Sequence, residues 1–179
     1  IPTDEEIDKV AEFLGSLSWP IKLRMVTAFS EVNASEYWGK KIDPEGYARI
    51  LNRLINQLKQ RSGDFFVMNG AFNASAQTAA PTKINCIKTD LGVDTCYLSE
   101  IGYLERMNKA VPGIFKKLDG WASHTYPHPG YRGRPTDTRI GRESAFEAGR
   151  NTMRSYQFEL RLLQKYGVKS IPVFITETG

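Results

Sequence analysis

Long apolar runs are missing from this sequence of 179 residues, and the absence bears first on membranes. No stretch reaches the ~18 consecutive apolar residues that a bilayer-spanning helix needs, so we expect neither a transmembrane segment nor a membrane partner. The start, Ile1-Pro-Thr-Asp-Glu-Glu6, is acidic and does not resemble a signal peptide, so we expect a mature or cut chain. No linker and no internal repeat divides the sequence, which predicts one domain over residues 1–179.

Cysteine and histidine are scarce, with two residues of each. Cys86 and Cys96 are separated by nine residues of a polar segment. This is not the C-x-x-C spacing of metal or redox sites, and no histidine cluster accompanies it, so we expect no metal and no cofactor. We interpret the pair as a local disulfide in an exported protein, which predicts a secreted or extracytoplasmic location; two free thiols are the alternative.

A strong charge bias is also missing. The net charge of +4 arises from 24 basic and 20 acidic residues that are well mixed, and 41% hydrophobic residues are ordinary for a globular domain. The tightest basic cluster lies in a loop rich in glycine and proline (Arg132, Arg134, Arg139, Arg142). Such a loop could bind an anion, but a solvated loop is the better interpretation, and we expect no nucleic-acid partner.

Short apolar runs are present, and two of them end at a glutamate. Residues 169–179 contain a nearly continuous apolar run, which predicts a strand covered on both faces and ending at Glu177. Residues 21–29 predict a second strand, which leads directly into Glu31. In α/β folds chemistry takes place where parallel strands end, so the two carboxylates are candidates for a catalytic pair roughly 5 Å apart.

Helical patterns alternate with four predicted strands. Thr3 and Glu6 form a capping box for a helix that stops near Gly15, and Asp43 with Pro44 begins a helix that ends near Gly63. Further strands are expected at 64–69 and 120–124, with a long loop around the cysteines. Helical sequence is expected over 99–118, interrupted at Pro112-Gly113, and over 143–166. Alternating strands and helices predict βαβ units, and hence an α/β fold made of about four strands of a parallel TIM-type barrel.

Three short motifs stand at strand ends. They are Ser30-Glu31-Val32-Asn33 with the following Glu36-Tyr37-Trp38-Gly39, then His124-Thr125-Tyr126, and finally Ile175-Thr176-Glu177-Thr178-Gly179. In this order they resemble the clan of retaining TIM-barrel glycoside hydrolases that includes cellulases and related β-glycanases. The resemblance extends from the helix before that family's fourth strand to the end of its seventh.

The resemblance implies residue roles. Glu31 would be the acid/base and Glu177 the nucleophile, Tyr126 would hydrogen-bond the nucleophile, and His124 would line the cleft. Ser30 replaces the family's asparagine, so contact with the 2-hydroxyl of the sugar would need a water molecule. Asn33 and Asn73 are candidates for binding sugar hydroxyls or for closing turns, and Trp38 for stacking on a sugar or for packing in the core.

These roles predict a retaining hydrolase of β-glycosidic bonds in an oligo- or polysaccharide. The alternative is a catalytically inactive carbohydrate-binding or structural protein. Strands one to three and strand eight of the family have no counterpart here, so we expect a fragment of a longer enzyme or a truncated relative. Uncovered strand edges predict self-association, or pairing with the missing barrel segments of the same parent protein.

Overall fold

A computed structural model describes residues 1–74, 76, 82–88, 94–127, 131–139 and 144–179. Within these ranges helices and short strands follow one another along the chain. None of the described helices is long and apolar enough to cross a membrane. The elements are α1 (Asp4–Ser16), β1 (Arg24–Ala28), α2 (Pro44–Arg61), β2 (Phe65–Asn69), β3 (Asn85–Lys88), β4 (Asp94–Tyr97), α3 (Glu100–Ala110), a 3-10 turn (Ile114–Lys117), β5 (Trp121–Thr125), α4 (Ser155–Lys165) and β6 (Val173–Thr178).

The predicted TIM-type barrel is wrong. The described strands form three separate two-stranded sheets: β1–β2 and β5–β6 are parallel, and β3–β4 is antiparallel. Only one isolated parallel bridge, Met68 to Gly120, lies between β2 and β5 in the described chain. The structure is therefore a small α/β fold with mixed sheets.

Side chains explain why a continuous ladder does not form between β2 and β5. The amide of Asn69 bonds both backbone groups of Ala122, at 2.8 Å to the N–H and 3.1 Å to the carbonyl. The carboxylate of Asp119 accepts from Val67 N–H at 2.8 Å. These side chains satisfy backbone groups that a regular ladder would otherwise pair, and a backbone bond from Asp119 N–H to the Val67 carbonyl at 3.0 Å also joins the two sheets.

Local signals for helix starts are confirmed. Glu6 N–H donates to Thr3 Oγ1 and Thr3 N–H to Glu6 Oε2, which is the expected capping box of α1. Asp43 caps α2 by accepting from Gly46 N–H at 2.8 Å, with Pro44 in the first turn.

Three other predictions need correction. The loop around the cysteines contains the β3–β4 hairpin. The last predicted helix is α-helical only from Ser155, because Gly149 and Asn151 have left-handed backbone at φ 91° and 60° that an α-helix does not admit. Strand β6 is half-buried at its start and exposed from Ile175 onward, so it is not covered on both faces.

Two residues of the sequence predictions lie outside the described residues: Arg142 of the basic cluster and Glu143 at the start of the predicted helix.

The main core lies along α2 and joins the two parallel sheets. Its aromatic rings meet edge to face, with Tyr47 packed against Trp38 at 5.4 Å and Phe72 against Trp121 at 5.9 Å between centroids. The Tyr47 hydroxyl donates to the Ala28 carbonyl and accepts from Gly70 N–H, at 3.0 and 2.7 Å. This buried side chain therefore holds the carboxyl ends of β1 and β2 together.

A buried carboxyl group lies beneath β5. Glu159 of α4 is 3% exposed, and its Oε2 accepts a hydrogen bond from Trp121 Nε1–H at 2.7 Å. Burial raises the pKa of Glu159 to about 8, although the Trp121 bond acts in the opposite direction. The nearby Glu100 carboxylate also raises this pKa, while Glu100 itself is paired with the buried Arg150 at 3.4 Å.

This carboxyl group makes stability depend on pH. In the unfolded chain Glu159 titrates near 4.5 and in the folded chain near 8, so its protonated form favours folding. The stabilisation is complete below pH 4.5 and is lost as pH rises through 8, by up to about 1.4 kcal/mol per pH unit. Glu159→Gln mimics the protonated group, so the advantage of this variant in unfolding free energy should grow from pH 5 to 8 in urea titrations. Glu12→Gln, on the exposed side of α1, is the control; identical pH profiles for Glu159→Gln and wild type would contradict the prediction.

Candidate active site

The carboxyl ends of the parallel strands bring the candidate site together. Glu31 follows β1, Asn73 follows β2, His124 lies near the end of β5 and Glu177 near the end of β6. Parallel pairing puts the ends of paired strands at the same edge of a sheet. Residues far apart in the sequence therefore meet at one place.

The backbone after β1 is unusual where it carries Glu31. Phe29 and Glu31 both adopt left-handed conformations, with φ 69° and 48°, which cost on the order of 1 kcal/mol or more each in non-glycine residues. Contacts hold this turn: Glu31 N–H donates to the Ala71 carbonyl at 2.7 Å, and the Phe29 ring packs on Trp38 at 5.1 Å. The turn directs the Glu31 side chain toward β5.

A register shift in the β5–β6 pair places Glu177. Ser123 pairs with Ile175 but His124 pairs with Glu177, so β6 contains one extra residue, Thr176. In a regular ladder His124 would pair with Thr176, and Glu177 would point to the other face. The bulge therefore puts His124 and Glu177 side by side on the same face.

The side chains form one row of close polar contacts. The buried ring of His124, 2% exposed, faces Glu31 Oε1 through Nδ1 at 3.1 Å and Glu177 Oε1 through Nε2 at 3.4 Å. Asn73 Nδ2 donates to Glu31 Oε2 at 2.7 Å, and the Tyr126 hydroxyl donates to Glu177 Oε2 at 3.1 Å. Each carboxylate thus has one oxygen next to the imidazole, and its other oxygen accepts a hydrogen bond from an uncharged donor.

Asn33 lies beneath this row and holds Asn73 in place. It is fully buried, and its Oδ1 accepts from Asn73 N–H at 2.7 Å while its Nδ2 donates to the Leu98 carbonyl at 3.2 Å. Its predicted contact with substrate is therefore replaced by a positioning role, because the side chain is enclosed by backbone. Through Asn73 it fixes the orientation of the Glu31 carboxylate.

An open pocket of about 550 Å³ lies over the row. Tyr37 and Tyr131, which sequence analysis did not select, contribute half-exposed rings, at 55% and 56% exposure. No lysine or arginine is among the described lining residues, whereas two carboxylates are. The described lining consists of Ser30, Glu31, Tyr37, Asn73, Ala74, Tyr126, Tyr131, Glu177 and Gly179.

The predicted site residues therefore separate into two groups. Ser30, Glu31, Asn73, Tyr126 and Glu177 line the pocket, and His124 lies directly beneath it. Trp38 is 2% exposed and packs between Phe29 and Tyr47 in the core, so it does not reach the pocket. The adjacent Tyr37 faces the pocket instead, and the sequence contains no signal that decides which of two neighbouring aromatic residues is exposed.

The carboxylates raise the pKa values of the tyrosine hydroxyls near them. The charge of Glu31, followed by burial, raises the pKa of the Tyr37 hydroxyl. Burial, followed by the hydrogen bond to Glu177, raises the pKa of Tyr126. Both hydroxyls therefore stay protonated and can act as hydrogen-bond donors at neutral pH.

The same groups could bind a metal ion. Glu31, His124 and Glu177 each offer one ligand atom, and these atoms lie within 4.8 Å of one another. Two carboxylates and an imidazole are suitable ligands for Zn²⁺. Both carboxylates already contact the His124 ring, so a metal ion would have to displace the hydrogen bond between His124 Nδ1 and Glu31 Oε1 or the contact between His124 Nε2 and Glu177 Oε1.

The predicted disulfide is confirmed, and it lies beside the site. Cys86 and Cys96 are bonded to each other and pair across the β3–β4 hairpin. Ser35 N–H donates to the Cys96 carbonyl at 2.8 Å, and Cys96 N–H donates to Ser35 Oγ at 2.9 Å. The cross-linked hairpin therefore braces the turn that carries Glu31 and Tyr37.

Comparisons with known proteins add no identification. Neither family models, nor curated proteins, nor solved structures yielded a match to this chain.

Removal of the disulfide should destabilise the protein and loosen this turn. We expect the double variant Cys86→Ser, Cys96→Ser to lose about 2–3 kcal/mol of unfolding free energy, because its unfolded chain is less restricted. Urea unfolding without reductant measures this loss. In hydrogen exchange the amides of Ser35 and Leu98 should lose more protection than that of Ala11 in α1, the internal control. Equal protection changes at all three would contradict the bracing role of the hairpin.

Proposed function

We propose that this protein is a retaining hydrolase of β-glycosidic bonds, with Glu31 as acid/base and Glu177 as nucleophile. The observation that carries the proposal is the pairing of the two carboxylates through His124 at the base of an open pocket. Their nearest ligand oxygens lie within 4.8 Å, which suits the roughly 5 Å separation of retaining enzymes better than the ~6.5–9.5 Å of inverting ones.

Hydrogen-bond chemistry supports the assignment of roles. Glu177 faces two groups that can donate to it, the Tyr126 hydroxyl and His124 Nε2, which suits an ionised nucleophile. The Glu31 oxygens face Asn73 Nδ2 at 2.7 Å and His124 Nδ1 at 3.1 Å. The two glutamates therefore have different polar neighbours, which supports giving them different roles.

The reaction follows from these roles. Glu177 attacks the anomeric carbon, and Glu31 gives its proton to the departing oxygen, which leaves with the bonding electron pair. Glu31, now a carboxylate, takes a proton from water, and the hydroxide attacks the anomeric carbon from the face that the leaving group vacated. Glu177 departs as a carboxylate, and two inversions give net retention.

The surroundings support a saccharide substrate. Tyrosine rings offer apolar surfaces for the C–H faces of sugars, and Ser30 and Asn73 offer polar groups for hydroxyls. The disulfide fits a secreted or extracytoplasmic protein that meets polysaccharide outside the cell.

One observation favours a second function, saccharide binding without turnover. The Glu177 side chain is 49% exposed, whereas catalysis gains most from carboxylates shielded from water. Covalent labelling by an activated 2-fluoro sugar distinguishes the two functions. A glycosylated Glu177 peptide supports hydrolysis, and reversible binding without a label supports the second function.

Replacement of each glutamate should reduce the catalytic rate in a different way. Glu177→Ala should lose at least about 10⁴-fold in rate on every glycoside, because no glycosyl-enzyme can form. Glu31→Ala should still react with a dinitrophenyl glycoside, whose leaving group needs no proton, and azide should restore turnover by forming a glycosyl azide of retained configuration. Rates and NMR of the product anomer measure both outcomes.

The matched control is Glu36→Ala, which removes an exposed glutamate close to Glu31 in sequence. Its rates should resemble those of the wild type. Substantial activity in Glu177→Ala, or an inverted product from the wild type, would overturn the assignment.

Metal dependence provides a separate test. Double displacement by carboxylates uses no metal ion, so EDTA-treated protein should keep its full rate. Added Zn²⁺ should inhibit, because coordination by Glu31, His124 and Glu177 blocks both catalytic groups. Loss of activity in EDTA with recovery on Zn²⁺ addition would instead show a metal-dependent reaction.

A further inference from the structure

We propose that Tyr37 forms the binding subsite for the leaving-group sugar, so that the preferred substrates have a sugar, rather than a small alcohol, on the departing side. This inference rests on the proposed function, because it uses the assignment of Glu31 as the proton donor.

The first argument is the position of Tyr37 in the chain. Ala34 N–H donates to the Glu31 carbonyl at 2.9 Å, and Tyr37 N–H donates to the Ala34 carbonyl at 3.2 Å. Two consecutive turns therefore connect the acid/base directly to the exposed ring. Any sugar that receives a proton from Glu31 departs into the part of the pocket next to this segment.

The second argument is that the two tyrosines lie next to different carboxylates. Tyr126 bonds Glu177 at 3.1 Å, so it belongs to the side where the sugar becomes attached to the enzyme. Tyr37 is instead connected to Glu31 by the two consecutive turns, and both rings line the pocket. We therefore assign Tyr126 to the side of the nucleophile and Tyr37 to the side of the proton donor.

The third argument is rigidity. Tyr37 is 55% exposed, but the next residue, Trp38, is 2% exposed and anchored in the core. Ser35, on the other side of Tyr37, is bonded to Cys96 of the cross-linked hairpin through both its N–H and its hydroxyl. A half-exposed ring on such a fixed turn is preorganised for stacking on a ligand, so it loses little conformational entropy when the ligand binds.

The ligand class follows from the surface. A tyrosine ring suits the apolar C–H face of a pyranose, and the described pocket lining carries two carboxylates but no lysine or arginine. We therefore expect an uncharged sugar at this subsite. A uronic acid would be repelled by the Glu177 carboxylate.

The test separates the two halves of the reaction. The full chain is inactivated with the 2,4-dinitrophenyl 2-deoxy-2-fluoro-β-glycoside of glucose, xylose or mannose, whichever labels the wild type fastest. This step needs no sugar in the leaving-group subsite. The labelled protein is then reactivated by transfer to the methyl β-glycoside of the same sugar, which must occupy that subsite.

In Tyr37→Ala the acceptor concentration for half-maximal reactivation should rise about tenfold or more, which corresponds to loss of one aromatic contact. The rate constant of inactivation should change by less than about threefold. Tyr37→Phe keeps the ring and should keep acceptor binding. Phe13→Ala removes an exposed aromatic residue of α1 outside the pocket and serves as the control.

Three outcomes would overturn the proposal. If Tyr37→Ala slows both steps equally, the residue acts on the catalytic groups in general, and if reactivation is unchanged, the subsite lies elsewhere. If Tyr37→Ala does not fold, Tyr37→Leu, which lacks the flat ring, replaces it with the same expectations. Absence of any label on Glu177 of the wild type is a third and distinct result, which removes the proposed function and this inference with it.

Discussion

One imidazole ring between two carboxylates is the contact on which the site depends. His124 is almost completely buried, and its two nitrogens lie 3.1 and 3.4 Å from Glu31 and Glu177. These distances tolerate little movement, so the strands on either side have to be fixed relative to each other. Tyr47 joins the ends of β1 and β2, and the Asn69 amide joins β2 to β5.

The same constraint explains the irregular backbone around the site. The left-handed turn at Glu31 and the extra residue in β6 both depart from regular strand geometry, and both direct a carboxylate toward the ring. Such departures cost free energy and persist only where surrounding contacts hold them. Here the contacts are the Phe29 ring on Trp38 and the bond from Glu31 N–H to Ala71.

A second layer of support comes from the cross-linked hairpin. It bonds to Ser35, and its following residue Leu98 bonds to Asn33, which in turn orients Asn73 against Glu31. The hairpin is thus linked to Glu31 through two separate sets of hydrogen bonds. A cross-link between the exposed strand β3 and the partly buried strand β4 therefore has consequences for the geometry of the pocket.

The sequence alone determined the features that depend on neighbours in the chain: the capped starts of α1 and α2, the position of the four parallel strands, the glutamates at two strand ends and the choice of cysteine partner. It did not determine how the strands join, since the side chains of Asn69 and Asp119 take backbone groups that a barrel would pair. Nor did it show the β6 bulge, or that Tyr37 rather than Trp38 faces the pocket. Helix caps and strand periodicity arise from contacts within a few residues, whereas register and side-chain exposure are decided by contacts between segments far apart in sequence.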